Sequence, residues 1–255
     1  MPPEAPDDLP SAPAALRNRE AILAALAAEG PARGRLLEIA SGTGEHAVHF
    51  AAHLPGLHIQ PSDADPRRVD AIAVRVKRAG LANLAPPLRV DATSPGDWPA
   101  GPWDAVLAIN LLHIAPFDVA RALFANAARV LAPDGPLIVY GPFILADTPL
   151  EPSNAEFDAA LRARNPAWGL RSTAALDDIA LAQGFDVAAI RHLPANNRLL
   201  LWRRRHGAAV GSPAGAGQDR LQGVQPGQRA CTCADRWSSW PLRPPWVSRG
   251  QPLPR

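Results

Sequence analysis

Between residues 13 and 204 the apolar positions alternate between short continuous runs and stripes at helical spacing. "NREAILAALAAE" (18–29) sets Ile22, Leu23 and Leu26 on one helical face. "RLLEIAS" (35–41) is a continuous apolar run, the pattern of a strand covered on both sides. "EHAVHFAAHL" (45–54) predicts a helix turning Ala47, Phe50, Ala51 and Leu54 to the core, and "LHIQPSD" (57–63) a second strand. Asp65 before Pro66 is an N-cap with Pro at the first helical position. The helix it opens points Val69, Ile72, Ala73 and Val76 inward and stops at Gly80. "PLRVDA" (87–92) and "WDAVLAINLL" (103–112) supply two more strands. A helix over 116–131 buries Ala120, Leu123, Phe124, Ala127 and Leu131, and "PLIVYGPF" (136–143) is the fifth strand. Ser153 with Glu156 reads as a capping box for a helix over 154–164, and another helix covers 173–183.

The last two strands, "FDVAAIRHL" (185–193) and "RLLLWRR" (198–204), are separated only by "PANN". Four residues close an antiparallel hairpin, whereas a parallel crossover needs about a dozen or more. The expected fold is therefore α/β and Rossmann-like: a mostly parallel seven-stranded sheet with a C-terminal antiparallel hairpin and helices on both faces.

Beyond Arg205 both periodicities stop. Six Arg and two Asp in residues 206–255 produce the formal net charge of +2, so the periodic part is mildly acidic. We expect a disordered tail over 206–255, a disordered N-terminus over 1–12, and one working domain over 13–205. An acidic domain without a basic stripe argues against nucleic acid. No apolar run approaches the roughly 18 residues of a membrane span. The acidic, Pro-rich start lacks the features of a signal or transit peptide, which points to the cytoplasm. Cys231 and Cys233 offer two of the four ligands of a structural zinc, so no metal is expected.

The chemistry gathers at the predicted carboxyl ends of the strands. In "EIASGTG" (38–44), Gly42 and Gly44 follow a strand and open a helix, where glycine lets the backbone turn sharply beside a ligand. Asp63 ends the second strand about twenty positions later, where a carboxylate suits vicinal ribose hydroxyls. Asp91 and Asn110 end the third and fourth strands on the same edge. Gly42 to Ala47 also satisfies the dinucleotide pattern G-x-G-x-x-A, so an NAD-dependent oxidoreductase is an alternative. Against it, Glu38 would face a pyrophosphate, and dinucleotide folds end on a parallel strand. Glu38 suits a ligand carrying a cation, such as S-adenosylmethionine.

"EIASGTG" resembles the S-adenosylmethionine motif E/D-x-G-x-G-x-G, with Ala40 at the first glycine. More narrowly, "RNREAIL", "EIASGTGEHAVHFA", "PSDADP", "INLLHIAPF", "YGPF", "SNAEFDAALRARNPAWGLR" and "PANN" resemble the methyltransferase-like protein 26 family, whose substrate is unknown. The resemblance spans about residues 11–204 and implies a class I methyltransferase fold. It implies that Glu38, Ala40, Ser41, Gly42 and Gly44 line the methionine end of the cofactor, and that Asp63 receives the ribose. Asp91, with Ala92 behind it, meets the adenine edge, and Asn110 borders the sulfonium and the substrate.

The fourth-strand loop "NLLHI" is not the Asn/Asp-Pro-Pro-aromatic loop of enzymes that methylate planar amides. His113 is a candidate general base, set against the simpler role of a histidine bonding the backbone. His46, His49 and His53 fall on one helix face and read as a solvated polar stripe. Asn18 and Arg19 are candidates for a lid over the cofactor. Tyr140, Asn154, Arg171 and Asn196 are candidates for a small polar substrate. The expected function is an S-adenosylmethionine-dependent methyltransferase acting on a small molecule, the further alternative being a cofactor-binding module without activity. The oligomeric state is left open.

Overall fold

Strands covered on both faces need apolar side chains at every position, and the central strands here meet that demand. The computed structural model describes residues 12–146 and 148–206. The expectations for the remaining N-terminal and tail residues lie outside the described residues. The helices are α1 (Pro13–Glu29), α2 (Glu45–His53), α3 (Pro66–Ala79), α4 (Phe117–Val130), α5 (Pro152–Arg164) and α6 (Thr173–Ala182). The strands are β1 (Gly34–Ile39), β2 (Leu57–Asp63), β3 (Leu88–Arg89), β4 (Ala105–Ile109) and β5 (Pro136–Gly141), followed by β6 (Phe143–Ile144), β7 (Arg171–Ser172), β8 (Phe185–Leu193) and β9 (Asn197–Arg204).

Seven strands form one sheet in the order β3-β2-β1-β4-β5-β9-β8. All neighbours are parallel except β5–β9 and β8–β9. The expected α/β architecture is therefore present, with β9 inserted between β5 and β8. β6 and β7 make a separate two-residue parallel pair that periodicity did not announce.

The period-2 alternation sorts side chains into two cores. Leu37, Val106, Ala108, Leu137, Val139, Leu200 and Trp202 pack with Leu123 and Phe124 of α4 and Leu176 of α6. Leu36, Leu107, Ile109, Ile138, Leu199 and Leu201 pack with Ile22 and Leu26 of α1 and Phe50 of α2. Trp202, 1% exposed, meets Phe124 edge-on at 4.8 Å, and its Nε1 donates to Asp177 at 2.7 Å. That pair fastens the hairpin to α4. No helix among the described residues is long and apolar enough to cross a membrane.

Several local expectations change. α1 begins at Pro13, where the ring presets the helical φ, rather than at Asn18. β3 shrinks to two residues because Pro86 and Pro87 lack the N–H a ladder needs. β4 stops at Ile109, and the chain continues through Asn110, at φ 55°, into a short 3-10 turn. In α3 only Ile72 is fully buried and Ala73 is exposed. The capping box is absent: α5 starts at Pro152 with Glu151 as its N-cap, and Ser153 Oγ instead accepts from Asn196 Nδ2 at 3.2 Å.

Trp202→Ala should lower unfolding free energy by about 3–5 kcal/mol, the usual result of emptying a large aromatic site. Trp202→Phe should lower it by about 1–3 kcal/mol, because a carboxylate oxygen of Asp177 loses its donor. Urea denaturation followed by circular dichroism measures both, and two parent-like curves would show that this contact does not hold the hairpin.

Candidate functional site

Strand order reverses between β1 and β4, and ligands of such sheets lie beyond the carboxyl ends at that point. After β1 the chain turns through Ala40, Gly42 and Gly44, with φ of 57°, 61° and 79°. The left-handed region disfavours a Cβ by roughly 1–2 kcal/mol, so Ala40 must be held there by its neighbours. Ser41 N–H donates to Ser62 O at 2.7 Å, Ser62 Oγ donates to Glu38 O at 2.7 Å, and Gly42 N–H donates to Asp63 Oδ2 at 2.9 Å.

The two glycines have different tasks. A Cβ on Gly44 would lie 3.1 Å from Ile72, so glycine there admits α3. A Cβ on Gly42 would meet nothing within 4 Å, so this glycine leaves the turn open on its outer side.

Glu38 lies beneath the turn, 1% exposed, and accepts from Ser41 Oγ at 2.7 Å. Burial, with a smaller push from the Asp63 charge, raises its pKa to about 7 against the opposing Ser41 bond. Asp63 is buried too. Its Oδ1 accepts Asp65 N–H at 3.0 Å, and the Arg68 guanidinium stands 3.6 Å from Oδ2. Each carboxylate oxygen carries two lone pairs, so Asp63 retains capacity for further donors.

A cleft of 590 Å³ opens beside this turn, within the roughly 300–1,000 Å³ typical of small-molecule sites. Ala40, Asp63, Asp91 and Ala92 all line it, four sequence candidates brought to one cavity. Val90, Leu111, Ile114 and Val119 add an apolar slot, and Arg164 at the end of α5 and Trp168 in the segment after it also line it. Asp91 Oδ1 accepts from Thr93 N–H at 2.8 Å and from Thr93 Oγ1 at 2.7 Å, bonds that hold its carboxyl below the ordinary range. Glu38, Ser41, Gly42, Gly44 and Asn110 do not line this cavity.

A second group sits at the ends of β4 and β5. A Cβ built on Gly141 would lie 3.4 Å from His113 Nδ1 and 3.8 Å from Asn110 Oδ1. The missing side chain thus leaves a small polar gap between these two residues. The His113 ring makes no hydrogen bond with the described residues and stands edge-on to Phe157 at 5.6 Å. Burial, and then the Arg171 charge, lower its pKa to about 4, so the imidazole is neutral near pH 7.

The remaining candidates divide into separate clusters. Asn18 Oδ1 lies 2.8 Å from His46 Nε2, and the Asn18 side chain also bonds the buried Tyr140 hydroxyl. The expected solvated stripe on α2 is not present: His46 and His49 are buried beneath α1, and only His53 is exposed. α1 is docked by Ile22 and Leu26, and Ala12 N–H, at its N-cap, donates to Glu45 Oε2 at 3.0 Å. Arg19 pairs with Glu20 at 3.5 Å.

Asn154 Nδ2 donates to Asn196 O at 3.2 Å, which ties α5 to the hairpin turn next to an Arg198–Glu151 ion pair of 2.6 Å. Arg171 is buried. Its Nε donates to Leu112 O at 3.0 Å, and its Nη2 to Ala167 O at 2.9 Å and to Ala115 O. It clamps main chain on both sides of His113. Among the described residues, no group of three or more His, Cys, Asp or Glu could hold a metal ion.

Sequence reasoning passed over Trp168, Ile114, Arg68 and Gly141. The one available signal was a tryptophan beside glycine in "NPAWGLR", which served there only as part of a segment carrying the family resemblance.

Several solved structures share this architecture. An O-methyltransferase family protein from Burkholderia thailandensis has a TM-score of 0.65 and 19% identity, over 76% of this chain and 58% of its own. The mitomycin 7-O-methyltransferase MmcR has 0.64 and 19%, over 75% and 54%. CalO1, a methyltransferase in calicheamicin biosynthesis in its SAH-bound form, has 0.62 and 16%, over 74% and 54%. The chain spans little more than half the length of these proteins. At such identities the likeness establishes a fold, the Rossmann-like class I methyltransferase fold. Residues 9–204 match the family described as protein of unknown function DUF938, and the chain belongs to that family.

Proposed function

We propose that this chain is an S-adenosylmethionine-dependent methyltransferase acting on a small molecule, with residues 13–205 as its working unit. The observation that carries the reading is the pairing, in one cleft, of the buried Asp63 carboxylate with the apolar slot of Val90, Ala92, Leu111 and Ile114. Ribose hydroxyls need an acceptor and a purine needs flat apolar surface, and this cavity offers both. The resemblance to the methyltransferase-like protein 26 family belongs to the same proposal.

The residues fit the cofactor in three respects. Asp63 keeps lone pairs for two hydroxyls. Asp91, ionised and acceptor-only, suits an exocyclic amine. Gly42 leaves the turn open where the methionine part would pass. When bound, S-adenosylmethionine supplies a methyl group on a sulfonium. Asn110 and His113 flank the gap at Gly141, where the acceptor's reacting atom would be held. A neutral imidazole there accepts a hydrogen bond from a hydroxyl or amine and orients its lone pair. With so low a proton affinity, His113 acts chiefly by positioning, and suits acceptors that lose their proton easily.

Calorimetry on the full chain with S-adenosylmethionine, S-adenosylhomocysteine and NAD tests the reading. Both S-adenosyl compounds should bind and NAD should not. The reverse result overturns it. Asp63→Asn should weaken S-adenosylhomocysteine by about 1–3 kcal/mol, since one acceptor becomes a donor facing the ribose.

Glu38 supplies a pH test. Its folded pKa of about 7 exceeds the ordinary 4.5, so its contribution to stability is full below pH 4.5 and is lost as pH rises through about 7. The loss is about 3 kcal/mol at 1.36 kcal/mol per unit. Glu38→Gln should flatten the stability profile between those limits, as read by urea midpoints across pH. A profile as steep as the parent's would assign the proton elsewhere.

A further inference from the structure

The carboxyl ends of the parallel strands line the cleft, and the segment joining α5 to β7 contributes Trp168 to it. That segment is firmly held. Trp168 N–H donates to Asn165 O at 2.9 Å, Gly169 N–H to His113 O at 3.0 Å, and Leu170 N–H to Asp158 Oδ1 at 2.7 Å. Arg171 then bonds the carbonyls of Leu112, Ala115 and Ala167. Gly169, at φ 135°, allows the close approach, since a Cβ there would lie 2.7 Å from both Arg162 and Asp158.

The side chain this frame presents is unlike the other described tryptophans. Trp98, Trp103 and Trp202 are buried, and their Nε1 atoms donate to Ala92 O, Pro99 O and Asp177. Trp168 is half-buried, lines the cleft with Asp63, Asp91 and Ile114, and its Nε1 has no partner among the described residues. Arg164 lies over its ring, 5.5 Å from the centroid. A large aromatic is thus held at the cleft by main-chain bonds with its indole N–H unpartnered among the described residues. An indole offers a purine a flat apolar face and one donor.

We propose that Trp168 is a cofactor-contact residue, closing the adenosine half of the cleft across from Asp63 and Asp91. This rests on the S-adenosyl reading of the cleft. Because Gly169 and Arg171 bond the loop that carries His113, the wall that covers the nucleoside is continuous with the group that faces the acceptor.

The test is calorimetry of the full chain with S-adenosylhomocysteine and with adenosine, using parent, Trp168→Ala and Trp168→Phe, together with tryptophan emission. Trp168→Ala should weaken both ligands by about tenfold or more, while the ligand-free melting temperature stays within about 2 °C of the parent. Trp168→Phe keeps an aromatic face, so its affinity should stay within about threefold of the parent. It should also lose the ligand-dependent change in emission that the parent shows. If the parent binds S-adenosylhomocysteine and Trp168→Ala binds it equally well, the contact is refuted and the cofactor reading stands. If the parent binds neither ligand, both fall. Should Trp168→Ala fail to fold, the emission difference between parent and Trp168→Phe decides alone, and equal ligand responses overturn the proposal.

Discussion

The hydrogen bond from Gly42 N–H to the buried Asp63 carboxylate is the constraint on which the site depends. It joins the turn after β1 to the end of β2, across 21 residues of chain, and keeps that turn in left-handed conformations. Ala40, which has a Cβ, stays in that region because Ser62 bonds Glu38 O before it and exchanges two bonds with Ser41 after it. Two acids, Glu38 and Asp63, therefore lie beneath one short loop. They share little solvent, and burial, with the nearby Asp63 charge, raises the pKa of Glu38 to about 7. The loop's shape and the site's charge have the same cause.

The elements around the turn fix its surroundings from both directions. α1 is pinned at its start by Glu45 and along its length by Ile22 and Leu26, so His46 and Tyr140 are buried and Asn18, which bonds both, is half-buried. On the far side, Arg171 gathers three carbonyls into one knot beside His113. A charge spent on main-chain oxygens sets geometry. It is less suited to recognising an anion, and the charged side chains that line the cleft are Asp63, Asp65, Asp91, Arg68 and Arg164.

What could be read in the sequence was local or periodic. Asp65, Pro66 and Gly80 bound α3 by rules that act within one turn, and each stands where those rules put it. The closing hairpin followed from four intervening residues. The site's strand-end acids, Asp63 and Asp91, followed from the position of strand ends alone. The misreadings involve distant partners. His46 and His49 looked solvated because the helix that covers them lies 28 residues earlier at Asn18. Ser153 satisfied a capping pattern, but its hydroxyl is taken by Asn196, 43 residues away. Trp168 meets Asp63 and Asp91 only through the folded cleft, and no spacing rule connects them. Single-chain periodicity reports which face is apolar. It does not report what arrives to cover it.

The place of β9 in the sheet bears on the order in which the fold can be completed. β5 pairs with β4 on one side and with β9 on the other, and β9 comprises residues 197–204. As the chain is synthesised, β1 to β5 can assemble first, but the outer edge of β5, with its uncharged Leu137-Ile-Val-Tyr140 run, has no neighbour until some sixty residues more have emerged. An apolar edge left unpaired is the kind that joins edges of other chains. The antiparallel insertion that distinguishes this sheet from a purely parallel one thus also leaves an inner strand, β5, with one edge to be sealed only after the last strand has been made.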